Sequence, residues 1–253
     1  MAPPGWWRPS GTGLAIPQVM RPAALPPRQT ILLSPSPDKA SVGPNVLARL
    51  RPETRDAVLA IGRRREYGAG EVLFHQGDPH DGIFLIESGL VKSFYVSEDG
   101  REITLGFWTE GHYVGAPQMF GGGEHAWTSI VIARTRCIWL PGEELRALGA
   151  RHNDLALALI DALVHKSECY CAVLQLLATH SMRARLARLL SMLAARGDGS
   201  LVRLSHHELA CMIGSTRQWV SLSMARLNEE GILARRACGG YEVLDREALD
   251  AVR

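Results

Sequence analysis

The polar side chains of Thr216, Arg217 and Gln218, with Ser221 one helical turn on, have the chemistry to contact a nucleic-acid duplex. An arginine guanidinium donates in a fork to O6 and N7 of guanine, and a glutamine amide pairs with adenine in the same two-point manner. Arg217, Gln218 and Thr216 are therefore the expected base-reading set, with Thr216 also suited to phosphate. Ser205, Ser215 and Ser221 carry hydroxyls that suit phosphate oxygens, contacts that set register without reading sequence. Arg235 and Arg236 add a cationic pair further along the chain for the same phosphate backbone.

The other reactive residues are more dispersed. Cys137, Cys169, Cys171, Cys211 and Cys238 are odd in number, and only Cys169 and Cys171 lie close together. On a helix a C-x-C spacing aims the two thiols about 200° apart, which does not suit a shared metal. The cysteines read as reduced thiols, and no metal ligand is assigned. His75, His80, His112 and His125 could each ligate a haem iron, although lone histidines on a β scaffold more often serve as surface or hydrogen-bonded residues. Glu110, His112, Glu124 and His125 fall largely in turns and His75 and His80 lack the H-x-H spacing of a cupin metal site, so no catalytic residue is assigned.

The elements that would position the duplex-contacting residues are legible. Ser205-His206-His207-Glu208 has the S-x-x-E form of a capping box, so a helix should begin after Ser205. Leu209, Ala210, Met212 and Ile213 give it an apolar face, and Gly214 should end it. Ser215 is the expected cap of a second helix, Thr216 to Glu229, with Val220, Met224 and Leu227 inward. Trp219 either touches a thymine methyl or sugar or packs on the preceding helix, packing being favoured. Its N-terminal turn would then face base edges and its amides phosphate. Ile232-Leu233 and Tyr241–Leu244, joined through Cys238-Gly239-Gly240, predict a hairpin wing, and Asp245 should cap a last helix, Arg246–Val252.

Upstream, Ser181 to Ala195 reads as an amphipathic helix capped by Ser181 and stopped at Gly197. Leu155 to His180 has neither proline nor glycine, and its apolar residues recur at three and four. A helix this long suits pairing with its twin across a dimer axis, and Leu155, Leu159, Leu163, Val173 and Leu177 are the expected dimer contacts. From Gly68 to Leu140, short β-branched and aromatic runs are punctuated by Gly77, Gly89, Gly100 and Gly111 at a spacing of about eleven, which predicts an all-β roll or barrel. The expected strands are Glu71–Phe74, Ile83–Glu87, Leu90–Val96, Glu102–Phe107, Tyr113–Gly115, Ser129–Ala133 and Cys137–Leu140. Val46 to Ile61 should form short helices, closed by a solvated run at Arg63, Arg64 and Arg65. Residues 1–44 are rich in proline, glycine and serine and are expected to be mostly disordered.

The whole is an α+β chain: a leader over 1–44, a β-roll sensor over 45–150, a dimerisation helix over 151–180 and a winged helix-turn-helix over 181–253. The net charge of +2 says little, but from Ser181 to Arg253 every positive charge is an arginine and they outnumber the acids. No apolar run reaches the roughly 18 residues of a membrane span, and the N-terminus lacks a signal-peptide core, so a cytoplasmic protein without a membrane partner is expected.

From about Leu50 to Arg253 the chain resembles the cyclic-AMP receptor/fumarate-nitrate regulator (Crp/Fnr) superfamily of bacterial transcription factors. The sensor resemblance rests on Gly70-Glu71-x-x-Phe74, Gly77-Asp78, Ile83–Gly89, Asp99-Gly100-Arg101-Glu102 and Gly111-His112-Tyr113-Val114-Gly115. In the C-terminal part it rests on Ser205–Glu208, Ile213–Gln218 and Leu227–Leu233. The resemblance implies a cyclic-nucleotide-binding-like β-roll and a homodimer on a roughly palindromic DNA site. It also implies an RNA polymerase contact if the protein is an activator, and a base-reading role for Arg217.

Cyclic-nucleotide binders of this fold carry a Gly-Glu pair after the fourth glycine turn and then an Arg-Ser pair. Here Gly115 is followed by Ala116 and Pro117, and Gly121–Ser129 contains no arginine, which argues against cyclic AMP. Oxygen-sensing members hold an iron–sulfur cluster through N-terminal cysteines, and none precedes Cys137. The effector is thus unassigned. The alternative reading is a ligand- or haem-binding sensor module for which DNA binding is secondary.

Overall fold

The computed structural model describes residues 45–115, 118–196, 201–202, 204–237 and 240–252. The proline-rich leader, Ala116-Pro117, the turn at Gly197–Ser200 and Cys238-Gly239 lie outside the described residues.

A 3-10 turn at Leu47–Arg49 leads into α1 (Pro52–Ile61), which starts with proline where a helix has no use for that amide hydrogen. The roll follows as β1 (Arg63–Tyr67), β2 (Val72–Phe74), β3 (Gly82–Val96), β4 (Glu102–Trp108), β5 (Tyr113–Val114) and β6 (Thr128–Pro141). All pairings are antiparallel, in the order β1-β6-β3-β4, with β2 also on β6 and β5 on β3.

Two long strands replace four expected short ones. Ile83–Glu87 and Leu90–Val96 are one strand, as are Ser129–Ala133 and Cys137–Leu140, because each pair continues through bulges between Ile86 and Val91. Gly89 sits in that irregular stretch with φ +108, and an added Cβ would lie 2.6 Å from the Arg134 carbonyl oxygen and from Thr135 Cα. Thr135 Oγ1 accepts from the Leu90 amide at 3.1 Å and donates to the Ala133 carbonyl at 2.7 Å, which fixes the bend. The arginine run at 63–65 is solvated as expected, yet it belongs to β1, where Arg63 and Arg65 each lie 5.2 Å from the Trp139 ring centroid.

After the roll come α2 (Gly142–Arg151), α3 (Asn153–Thr179) and α4 (Met182–Arg196). The inward stripe of α3 joins three buried clusters in turn. Leu155, Ala158, Leu159 and Ala162 pack with Ile83, Leu85, Tyr113 and Ile138 of the roll. Cys169 packs with Phe84, Ile86, Val91 and Trp108. Val173 and Leu176 then join Leu186, Leu190, Leu209, Met212, Val220 and Met224 of the C-terminal part.

This corrects the expected dimer contacts. Leu155, Leu159 and Val173 are buried in their own protomer, and Leu163 and Leu177 are half-buried against the same clusters. The exposed apolar stripe is instead Leu157, Ile160, Val164 and Leu174, each more than half exposed. With the exposed Ser167, Cys171 and Ala178 they recur at alternating steps of three and four along α3. That is the heptad spacing of a coiled-coil seam.

The remainder is β7 (Leu201–Val202), α5 (His206–Ile213), α6 (Arg217–Glu229), β8 (Leu233–Arg235), β9 (Tyr241–Val243) and α7 (Arg246–Asp250). β9 lies between β7 and β8 in a small antiparallel sheet.

Candidate nucleic-acid interface

The capping box forms as its residue types require. Ser205 Oγ accepts from the Glu208 amide at 3.2 Å, and Glu208 Oε2 accepts from the Ser205 amide at 2.7 Å. α5 ends at Gly214 with φ +67, the left-handed conformation that glycine adopts without a Cβ clash. The cap of α6 is Thr216 and not Ser215: Thr216 Oγ1 accepts from the Trp219 amide at 3.2 Å. Ser215 is used in the turn, its amide donating to the Ala210 carbonyl. The helix therefore starts at Arg217, one residue later than expected.

Val220, Met224 and Leu227 bury one face of α6, and Trp219 packs half-buried on the same core. That packing sets the rotation of the helix. Thr216, Arg217, Gln218, Ser221, Leu222 and Ala225 are consequently exposed together. The exposed face is polar at its N-terminal end, where the helix also has free amide donors and a positive dipole end.

β8 and β9 form the expected hairpin. Arg235 and Arg236 are both exposed, but Arg236 forms an ion pair with Glu242 on the neighbouring strand. Arg235 has its amide held by Asn228 Oδ1 at 3.2 Å, which ties the wing to the end of α6. His206, which the sequence did not single out, lies between these parts. Its Nε2 is 3.2 Å from Tyr241 Oη, and burial, then Arg217, then Arg235 lower its pKa. His206 thus lies near both the first residue of α6 and the wing. Asp245 caps α7 as expected, accepting from the Ala248 amide at 2.9 Å.

In the sensor, His80 and His125 are buried and stacked, with His80 bonded to the Gly115 carbonyl and Phe74 stacked on His125. His112 is also buried, 3.2 Å through Nδ1 from the Thr109 carbonyl. Beneath the roll, Lys166 and Tyr170 of α3 meet Trp108, His112 and Tyr113. Tyr113 Oη, Tyr170 Oη and His112 Nε2 are buried without a hydrogen-bond partner among the described residues. Lys166 and Tyr170 escaped the sequence reading because an isolated lysine and tyrosine on a long helix carry no motif.

An antiparallel roll joined through a long helix to a winged helix-turn-helix defines a two-domain, DNA-binding transcription regulator. Family models for a cyclic nucleotide-binding domain and a Crp-like helix-turn-helix domain match residues 64–152 and 184–252. The chain belongs to the Crp/Fnr family. It is similar to a cyclic AMP receptor protein of Thermus thermophilus, 32% identical over 203 residues that cover 80% of this chain and 94% of that protein. The transcriptional regulator LdrP of the same species is 30% identical over 192 residues, covering 74% and 94%. Among solved structures, the c-di-GMP-responsive global regulator CLP of Xanthomonas campestris matches with a TM-score of 0.69 at 21% identity, covering 77% of this chain and all of that one, which shows the shared fold. Among the described residues, no helix is long and apolar enough to cross a membrane.

Proposed function

We propose that the chain reads a roughly palindromic DNA site as a homodimer, under control of a sensor that does not take a cyclic nucleotide in the family's usual way. The observation that carries this reading is the shared exposure of Thr216, Arg217, Gln218 and Ser221 at the N-terminal end of α6. Arg217 and Gln218 read bases; Thr216 contributes at the same turn. Ser205, Ser215, Ser221 and Arg235 grip phosphate, with Arg236 a lesser contributor because Glu242 holds it. The exposed seam of Leu157, Ile160, Val164 and Leu174 supports pairing of two α3 helices. Two α6 helices would then meet half-sites about 34–36 Å apart.

We place the effector between the roll and α3. The unpartnered Tyr113 and Tyr170 hydroxyls and His112 Nε2, beside Lys166, support a small polar or anionic ligand there. Since α3 carries Lys166 and Tyr170 inward and the seam outward, occupancy on one face can shift the pairing on the other. The recognition helices reorient through that shift in population.

Selection of bound DNA from a random pool, with a visible spectrum of the same protein, tests the reading. The expected result is a two-fold symmetric motif and no haem absorption, with Arg217→Ala losing preference at one position of each half-site. An unselected pool, or an unchanged motif in Arg217→Ala, would overturn it.

A further inference from the structure

We propose that Glu102, His207 and Cys211 form a zinc site that ties the first helix of the helix-turn-helix to the β-roll. Glu102 opens β4 of the roll, whereas His207 and Cys211 lie on α5. One atom from each residue falls within 4.8 Å of the other two. The i, i+4 spacing of His207 and Cys211 puts imidazole and thiol on the same helix face. Their Nε2 and Sγ atoms are 3.7 Å apart. Zinc bonds of about 2.0–2.1 Å to nitrogen and 2.3 Å to sulfur at a tetrahedral angle require about 3.5 Å between those atoms, so this pair is already set for one ion.

Glu102 completes the set from the other domain. Lys92 Nζ ion-pairs with Glu102 Oε1, and the carboxylate lies close to the Cys211 thiol. A carboxylate has a second oxygen, and rotation of the Glu102 side chain can bring it to the ion. Lys92 then orients the ligand from outside the coordination sphere. One thiolate, one imidazole and one carboxylate suit zinc and not the oxygen-seeking calcium or magnesium ions. Coordination sends the thiol proton to solvent. His207 is exposed and Cys211 is buried, so the site borders solvent, and water can take the fourth position. The backbone around the site is held without metal, since Leu90 and Phe107 of the roll share one buried cluster with Leu209, Met212 and Ile213 of α5. The donors therefore meet across a packed interface. The site stands independently of the DNA-reading residues.

Cobalt(II) is the probe, because zinc is spectroscopically silent. The full chain is titrated with cobalt in the absence of DNA, and zinc is then added. The expected result is one cobalt per protomer, with tetrahedral visible bands and thiolate-to-metal charge transfer, both bleached by zinc. Cys211→Ser loses the charge-transfer band, Cys169→Ser keeps it, and His207→Ala and Glu102→Gln each weaken binding at least tenfold. Glu102→Gln leaves α5 untouched, so it reports even if a helix variant fails to fold. Charge transfer that survives Cys211→Ser, or wild-type affinity in Glu102→Gln, would overturn the bridging site.

Discussion

Lys166 Nζ lies 3.3 Å from the centroid of the Trp108 ring, and both residues are buried. Helix α3 thereby inserts a cation under the last residue of β4, where Tyr113, Tyr170, His112, His165 and Cys169 surround it. An ammonium group loses its hydration there, and the aromatic face offsets only part of that loss.

Burial brings the Lys166 pKa down from 10.5 to about 7, against a small opposing effect of Cys169. Above pH 7 the unfolded chain holds this proton more tightly than the native one, so stability should rise with pH. Between pH 7 and 9 the gain from this group is about 2 kcal/mol. Urea unfolding across that range checks it, and Lys166→Met should flatten the rise.

His112 behaves similarly at lower pH. Burial, then Lys166 and His165, hold its pKa at about 3. Its folded pKa is depressed, so stability is full above the ordinary value of 6.5 and declines as pH falls towards 3. By pH 5 the loss is about 2 kcal/mol. His112→Gln should remove that part of the acid sensitivity, leaving the share of His125, which burial holds at about 4.

The caps separate neighbouring hydroxyls. Thr216→Ala removes the cap of α6 and should cost about 1 kcal/mol, as should Ser205→Ala at α5. Ser215→Ala should change stability by less than about 0.5 kcal/mol. Chemical denaturation of the three variants decides which residue caps α6. Equal losses for Ser215 and Thr216 would contradict the geometry.

The two stripes of α3 should respond differently to substitution. Val164→Glu or Leu174→Glu places charge on the exposed seam and should halve the mass seen by sedimentation, with little loss of protomer stability. Leu159→Ala empties part of the roll core and should cost about 2–5 kcal/mol of stability. A monomer from Leu159→Ala and a stable dimer from Val164→Glu would reverse the assignment.

On the wing, Arg235→Ala should weaken binding to all DNA sequences alike and lower the salt slope by about 1. Arg236→Ala should do less, since its guanidinium already pairs with Glu242. Fluorescence anisotropy against a salt series measures both.

The amino-acid sequence alone determined the local devices, because their physics spans three or four residues. Ser205 and Glu208 form a box at one fixed spacing, Gly214 supplies a left-handed end, Asp245 caps α7, and Asp99-Gly100 turns β3 into β4. The helix-turn-helix followed from those signals, with the α6 cap misplaced by one residue because Ser215 and Thr216 are both competent caps. Only the tertiary structure decided which stripe of α3 is core. Both stripes are apolar at helical spacing, and nothing local distinguishes Leu159 from Ile160 until the roll packs against one of them. The same holds for Glu102, His207 and Cys211, which share no motif. They meet because α5 docks on β4, a contact set by packing between residues far apart in the chain.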